Sequence, residues 1–199
     1  DTRVLLEQFS KEPLLSEYAY SYHGLTTGDK PRMKLFIWEI SEINPDIWIY
    51  YQGTVQTGLT FGGADSILRW ENGKGFINEL IGARKDGTEA WGRKGISISQ
   101  MSSLNSSIYL GSAFDNTIAA IIPYNEEYLS AIWAYCSSRN FVNEVRKIDK
   151  SLYVTCATLV KVPFDFNYWN QVAKERFPNG LPKPYSDDPT QWLFHGHPV

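Results

Sequence analysis

The chain has 199 residues, which is enough for one compact domain with a hydrophobic core. Its hydrophobic content of 43% and charged content of 21% are typical of a folded soluble protein, and no apolar run approaches the ~20 residues of a membrane helix. A net charge of −3 argues against an autonomous nucleic-acid-binding protein, although a partner domain could supply the phosphate contacts.

In chain order, the first half predicts strands separated by loops rich in turn residues. Residues 5–20 have a loose helical pattern with a break at Pro13, and residues 24–31 are turn-forming. Alternating apolar and polar residues predict strands at 34–40 and 47–51. Weaker patterns predict a loop at 55–65, a strand at 66–71, a short helix at 76–81, a basic loop at 84–95 and strands at 96–99 and 118–122.

The second half carries the strongest helix prediction, which begins at the N-cap residue Asn125 and has apolar residues at helical spacing. Residues 141–148 continue this helix or form another, and residues 167–176 predict a short helix. Residues 152–162 are rich in β-forming residues and end at Pro163. From Pro178 the chain carries five of its ten prolines, so we expect residues 178–199 to run extended after a domain that ends at residue 177.

The irregular order of these strands and helices predicts the α+β class, with a central mixed sheet built from strands between Lys34 and Val162. The two cysteines, Cys136 and Cys156, lie in apolar segments, which favours reduced core thiols and a cytoplasmic protein. The chain shows no signal-peptide pattern and does not begin with Met, so we interpret it as part of a longer polypeptide.

Motifs for catalysis and for small cofactors are weak. Gly73-Lys74-Gly75 lacks the further glycine of a nucleotide-binding loop, and His195-Gly196-His197 has no neighbouring cysteine or carboxylate cluster, so we expect a turn and no metal site. The serines of 97–107 lack the GxSxG context of a nucleophile and predict a solvated loop. A serine nucleophile with distant partners stays open.

Several segments together resemble one protein family. The principal one is a turn of the form G-[IL]-x-T-G-D-x-x-[RK]-F, from which only Met33 departs. The segments are Leu14-Leu15-Ser16-Glu17-Tyr18-Ala19, Gly24-Leu25-Thr26-Thr27-Gly28-Asp29-Lys30-Pro31-Arg32-Met33, Phe36-Ile37-Trp38-Glu39, Phe61-Gly62-Gly63, Arg69-Trp70-Glu71-Asn72-Gly73, Gly95-Ile96-Ser97-Ile98-Ser99, Ile121-Ile122-Pro123 and the tail from Asp188 to Pro198.

In their order and spacing, these segments resemble the target-recognition (specificity) domain of adenine-N6 DNA methyltransferases. The relatives are type IIG restriction–modification enzymes and BREX-like proteins of phage defence. The resemblance implies a domain of the methyltransferase target-recognition type that binds double-stranded DNA beside a catalytic domain of the same polypeptide.

The resemblance does not extend to catalytic motifs. The family's active loop is [DNS]-P-P-[YFW], and the nearest string here, Asp188-Pro189-Thr190-Gln191, lacks the second proline and the aromatic residue that would stack on the flipped base. We therefore expect no catalytic residue and no cofactor in this chain. S-adenosylmethionine is expected in the absent catalytic domain, and whether the parent also cleaves DNA stays open.

Candidate DNA contacts are the basic residues around the central loops. Interleaved acids such as Glu71 and Asp86 make a solvated mixed-charge surface an equal alternative for any single residue. In the turn that carries the resemblance, Thr27, Gly28, Asp29 and Arg32 are interpreted as structural, or as contacts to phosphate or to the catalytic domain. The DNA-contact candidates are Arg69, Lys74, Arg84, Lys85, Arg93 and Lys94.

Three other classes of function stay open. The first is a protein–protein interaction module, and the second is a small hydrolase with an unrecognised site. The third is a carbohydrate-binding domain, which predicts exposed side chains at Trp48, Trp70 and Trp91.

Overall fold

The computed structural model describes residues 12–55, 60–184, 186 and 188. The predictions for residues 1–11, for 56–59 and for most of the tail, including His195-Gly196-His197, lie outside the described residues. The strands are β1 (Ala19–His23), β2 (Lys34–Phe36), β3 (Trp48–Gln52), β4 (Ser66–Arg69), β5 (Gly95–Ser99), β6 (Ser106–Tyr109), β7 (Ala113–Phe114) and β8 (Ile118–Pro123).

The helices concentrate in the C-terminal third of the chain. The α-helices are α1 (Lys30–Met33), α2 (Leu129–Cys136), α3 (Arg139–Ile148), α4 (Cys156–Leu159) and α5 (Phe166–Arg176). Single 3-10 turns occupy Leu15–Glu17, Ile37–Glu39, Glu71–Gly73, Phe76–Glu79, Thr88–Ala90 and Glu126–Tyr128. None of the described helices is long and apolar enough to cross a membrane.

The first sheet has the order β1-β8-β5-β6 and is antiparallel throughout. Its inner strand β8 is buried along its whole length, because its two faces pack into different cores. Ala119 and Ile121 face the main core, whereas Ile118, Ala120 and Ile122 face a smaller cluster around Phe114. This two-residue alternation explains why the sequence of β8 is continuously apolar.

The second sheet has the order β2-β4-β3-β7, with β3 and β7 parallel and the other pairs antiparallel. Its own apolar cluster is small and includes Met33, Tyr51, Leu68 and Ile77. The edge strand β2 is three residues long, so much of this region consists of loops and 3-10 turns.

The main core lies between the first sheet and the helices. In α2 every residue except Ser130 is buried, and the helix packs against α5, α3 and β5. Side chains cap the N-termini of this layer: Asn125 accepts from the N–H of Glu127 at 3.0 Å, and Asp165 accepts from the N–H of Tyr168 at 3.0 Å. The helix predictions at Asn125, 141–148 and 167–176 are therefore confirmed.

The predicted α+β class is also confirmed, with the strands divided between two four-stranded sheets. The strand predictions at 47–51, 96–99 and 118–122 are confirmed by β3, β5 and β8. Cys136 and Cys156 are free thiols, and burial raises the pKa of both.

Three local predictions are wrong. The helical pattern of 5–20 gives, in its described part, a single 3-10 turn and the start of β1, because β1 gains a full ladder with β8. β1 thus lies outside the predicted sheet limits of Lys34 and Val162. The predicted strand at 34–40 ends at Phe36, where the Glu39 carboxylate accepts from the N–H of Phe36 and starts a 3-10 turn. Residues 152–162 form α4 and irregular chain with a single bridge at Tyr153, and a second bridge follows at Pro163.

The serines of 97–107 form a solvated loop only in part: Ser102 and Ser103 are exposed in the turn between β5 and β6, but three others are not. Ser97 and Ser99 lie in β5, Ser107 lies in β6, and all three are buried. Their hydroxyls bond inward: Ser107 Oγ accepts from the N–H of Gly62 at 2.6 Å and donates to the carbonyl of Thr60 at 2.9 Å. Polar residues that appear loop-forming in the sequence thus hold the loop around residues 60–62 against the first sheet.

Candidate nucleic-acid interface

The turn that carries the family resemblance is held by its own residues. Asp29 caps α1 by accepting from the N–H of Arg32 at 3.3 Å, and its second oxygen accepts from Arg32 Nε at 2.5 Å. These bonds lower the pKa of the Asp29 carboxyl. Gly28 has a φ of +75°, which glycine adopts without steric cost, and a Cβ there would lie 2.9 Å from the carbonyl oxygen of Ile81. Thr27 is buried.

A buried carboxylate anchors this turn to the strands. Asp115, 3% exposed, accepts from Lys30 Nζ at 2.6 Å and from the Tyr51 hydroxyl at 2.8 Å. Its other oxygen accepts from the N–H and hydroxyl of Thr117 at 2.9 and 2.7 Å. Burial opposes ionisation, but the hydrogen bonds from Lys30, Thr117 and Tyr51 outweigh it and lower the pKa of Asp115. Four donors saturate the carboxylate, so its role in this network is structural.

The same turn packs against the basic loop. Thr26 and Arg84 exchange two backbone hydrogen bonds of 2.9 and 2.8 Å, which form an isolated antiparallel bridge. The Arg84 side chain is exposed and pairs with Asp86 at 3.3 Å. Arg84 is therefore fixed beside the turn through its backbone, while its side chain stays available to solvent.

The ring of Phe76 contacts two arginine side chains, one from the turn and one from β4. The guanidinium of Arg32 lies 5.1 Å from the centre of its ring and that of Arg69 lies 5.4 Å away. Arg69 also pairs with Glu71 at 2.9 Å, and Glu71 accepts from the N–H of Phe76 at 2.8 Å. The bond from Arg69, followed by that from Phe76, lowers the pKa of Glu71.

Lys85 contacts the residues next to this group. Its ammonium donates to the carbonyl of Gly73 at 2.6 Å and lies 5.9 Å from the ring centre of Trp70. Lys74 is exposed in the same turn, next to Gly73. Of the six basic residues named from the sequence, Arg69 and Lys74 lie in one segment, and Lys85 contacts that segment through Gly73 and Trp70. Arg84 is adjacent to Lys85 in the chain.

Arg93 and Lys94 are placed differently. Both are exposed just before β5, and Arg93 Nη1 donates to the hydroxyl of Tyr22 on β1 at 3.4 Å. These two residues therefore lie on the first sheet, whereas Arg69, Lys74 and Lys85 surround the second sheet. Trp91 lies between the groups in sequence, and its ring packs edge-on against Trp70 at 4.9 Å.

The edge of the second sheet carries residues to which the sequence assigned no DNA contact, although Phe36 and Trp38 belong to a segment of the family resemblance. Lys34 lies 4.6 Å from the ring centre of Phe36, and Phe36 stacks on Trp38 at 4.6 Å with a 5° angle between the rings. Trp38 is 62% exposed. The contact of Lys34 with Phe36 could be predicted from the sequence, because alternation along a strand places residues 34 and 36 on one face. The stacking of Trp38 on Phe36 could not, because the turn at Ile37–Glu39 that produces it leaves no periodic pattern.

A cavity of about 340 Å³ lies between the two sheets. Its lining is mostly apolar and includes Tyr50, Tyr51, Phe61, Trp91 and Ile108. Across the described part of the chain, no three His, Cys, Asp or Glu side chains are placed to hold a metal ion.

Comparison with known proteins gives a weak likeness, and only to solved structures. No protein-family model matches the chain, and no curated protein matches its sequence. Among solved structures, the chain is similar to the HsdS subunit from Thermoanaerobacter tengcongensis, with a TM-score of 0.48 and 10% sequence identity. The match covers 96% of this chain and 44% of that subunit, so the chain spans less than half the subunit's length.

Proposed function

We propose that the chain is a DNA sequence-recognition domain of a larger adenine-specific DNA methyltransferase or restriction–modification protein. It positions duplex DNA for base flipping and methylation by a catalytic domain of the same polypeptide, which binds S-adenosylmethionine. The chain itself contributes no catalytic residue and no cofactor. Its place of action is the cytoplasm.

The observation that carries this proposal is the grouping of basic side chains around the turn of the family resemblance. Arg32 from the turn and Arg69 from β4 share the ring of Phe76, and Arg84 pairs through its backbone with Thr26. Lys74 and Lys85 adjoin the same segment. Residues far apart in sequence therefore supply cations to one part of the second sheet.

Such a surface suits a duplex because phosphates are bound by Arg and Lys and base edges are read in the grooves by the same side chains. The three arginines are at least partly exposed within their ion pairs, so a DNA phosphate can reach each guanidinium beside its carboxylate. The pairs are Arg32 with Asp29, Arg69 with Glu71 and Arg84 with Asp86. The net charge of −3 predicts that the isolated chain binds weakly, within the non-specific range of about 10⁻⁴ to 10⁻⁶ M.

The test is fluorescence anisotropy of the purified chain with a labelled duplex at several salt concentrations. The variants are the single charge removals at Arg69, Lys74, Arg84, Lys85, Arg93 and Lys94. Loss of a phosphate contact weakens binding to all sequences and reduces the salt slope by about one, whereas loss of a base-reading Arg costs roughly 1–3 kcal/mol at one position of the site.

Methylation by the full-length parent is the second measurement. The control is Lys174→Ala on α5, far in sequence from the turn. If all six variants retain the parent's rate, salt dependence and specificity, this surface is not the DNA interface.

A second candidate is a protein–protein interaction module, which one observation favours. Met101, Ile148, Leu152 and Tyr153 are exposed apolar residues, and the bridge between Met101 and Tyr153 places two of them side by side. DNA binding that depends on salt distinguishes the first candidate from this one.

The carbohydrate interpretation receives no such support. Trp48, Trp70 and Trp91 are each partly buried, and Trp70 and Trp91 pack against the small core of the second sheet.

A further inference from the structure

An aromatic stack stands on the edge strand of the second sheet. We name it the Trp38 stack; it consists of Lys34, Phe36 and Trp38. The exposed fractions are 62% for Trp38 and 36% for Phe36, although these residues belong to the larger apolar side chains of the protein. Two stacked aromatic rings that both face solvent form an exposed apolar patch, and such patches occur at binding sites.

The backbone that carries the Trp38 stack is held in place by hydrogen bonds and by a buried side chain. The Glu39 carboxylate accepts from the N–H of Phe36 at 2.7 Å, and Ile37, which lies between Phe36 and Trp38 in sequence, is buried. β2 also pairs with β4 from Lys34 to Phe36. The rings are therefore in place before any ligand arrives, which reduces the entropy lost on binding.

The charges around the stack select the kind of partner. Residues 29–34 contain three cations, but two of them already have carboxylate partners: Lys30 pairs with the buried Asp115, and Arg32 pairs with Asp29. Lys34, which lies over the ring of Phe36, is the cation that a ligand at the stack can meet. The acid inside the stack's own turn, Glu39, is used by the Phe36 N–H. A ligand with a flat π surface and nearby negative charge fits this arrangement, and a nucleobase with its phosphate has both.

We propose that Trp38 stacks on an unstacked base of the bound DNA, while Lys34 contacts the adjoining phosphate. This inference rests on the proposed function, since it assigns the Trp38 stack to the same duplex. An aromatic side chain at the edge of a sheet enters a kinked base step or covers a base that has left the helix. The Trp38 stack thus recognises deformed DNA, whereas the basic residues bind the phosphate backbone of the DNA.

The experiment compares two probes of the same sequence: a perfect duplex, and a duplex with one unpaired 2-aminopurine. The probes are titrated with the purified chain and followed by anisotropy and by 2-aminopurine fluorescence, which falls when the base stacks. We expect the wild-type chain to prefer the unpaired probe and to quench it. Trp38→Ala should bind that probe about tenfold more weakly and lose the quenching, because base–aromatic stacking contributes about 1–3 kcal/mol per base.

Two further variants make the result specific. Trp38→Phe keeps a ring and should retain most of the quenching. Tyr168→Ala removes another exposed aromatic, 55% exposed on α5, and should bind and quench as the wild type does. Because the Trp38 side chain is mostly exposed, Trp38→Ala should have nearly the same melting temperature as the wild type. Circular dichroism checks that the variant is folded.

The possible outcomes separate the two proposals. If the wild type binds both probes with salt dependence but Trp38→Ala binds and quenches like it, the stacking inference is overturned and the proposed function stands. If the wild type binds neither probe, both are overturned. If Trp38 is required for binding a neutral oligosaccharide and not for DNA, the stack serves a sugar ligand and the inference is again overturned.

Discussion

The two sheets of this protein are stabilised in different ways. The first sheet and its helices enclose a continuous apolar core that includes β8, α2, Phe141 and Phe164. The second sheet has a small core, and its connections depend on Asp115, on Gln52 and on paired charges around Phe76. The apolar half therefore acts as the scaffold, while the polar half can carry exposed charged and aromatic residues without giving up much core.

This comparison predicts that the largest loss of stability follows from a change in the first region. Phe141 is fully buried on α3, and its ring packs edge-on against Tyr135 at 5.4 Å. Phe141→Ala should lower the free energy of unfolding by about 3–5 kcal/mol, because it leaves a cavity in the main core. Urea denaturation measures the loss, and the exposed Tyr168→Ala serves as the control. A loss below about 1 kcal/mol would contradict the assignment of the scaffold to this region.

The second region should respond most to its buried carboxylate. Asp115→Asn removes the buried charge that accepts from the half-exposed Lys30 and should cost about 1.5–3 kcal/mol, the range for hydrogen bonds to a charged group. Because the pKa of Asp115 is lowered in the folded state, its contribution is complete above the unfolded pKa of about 4 and disappears as the pH falls through the folded pKa.

Denaturation of the wild type and Asp115→Asn at neutral pH and below pH 4 tests this sign. The difference between the two proteins should shrink in acid. Asp86→Asn, which affects an exposed pair at 3.3 Å, is the matched control. If the difference in the free energy of unfolding between the two proteins increases in acid, the hydrogen bonds to Asp115 do not keep its carboxylate ionised.

A smaller effect is expected at the polar junction between the sheets. Gln52 Nε2 donates to the carbonyl of Gly62 at 2.6 Å and to Ser97 Oγ at 3.1 Å, so it joins β3 to β5. Gln52→Ala should cost about 1–3 kcal/mol, because buried polar groups lose their partner. Gln171→Ala on the exposed face of α5 should be nearly neutral. Equal stabilities for the two variants by thermal melting would mean that the junction contributes nothing.

The smallest change in stability is expected at the basic residues of the second sheet. Lys74→Ala and Lys85→Ala should stay within about 0.5 kcal/mol of the wild type, because both side chains are exposed. Their effect should instead appear as weaker DNA binding with a reduced salt slope. Should either variant unfold easily, the residue belongs to the scaffold and the contrast between the regions fails at that position.

The sequence by itself determined the elements whose signals are local. Asn125 caps the start of a helical turn through its own side chain, and the strictly apolar strand at 118–122 can only be buried. Arg69, Lys74, Arg84 and Lys85 could be named as a basic group because they lie close together in the chain.

Only the tertiary structure decided the rest, because the deciding partners are distant in sequence. Residues 19–23 become a strand because β8, about a hundred residues later, supplies the ladder, and Ser97 and Ser107 are buried because Gln52 and the loop at 60–62 bond them. Trp38 stands exposed on Phe36 because a single carboxylate, Glu39, ends β2. Hydrogen bonds of this kind leave no periodic pattern, so they emerge only when the chain is folded.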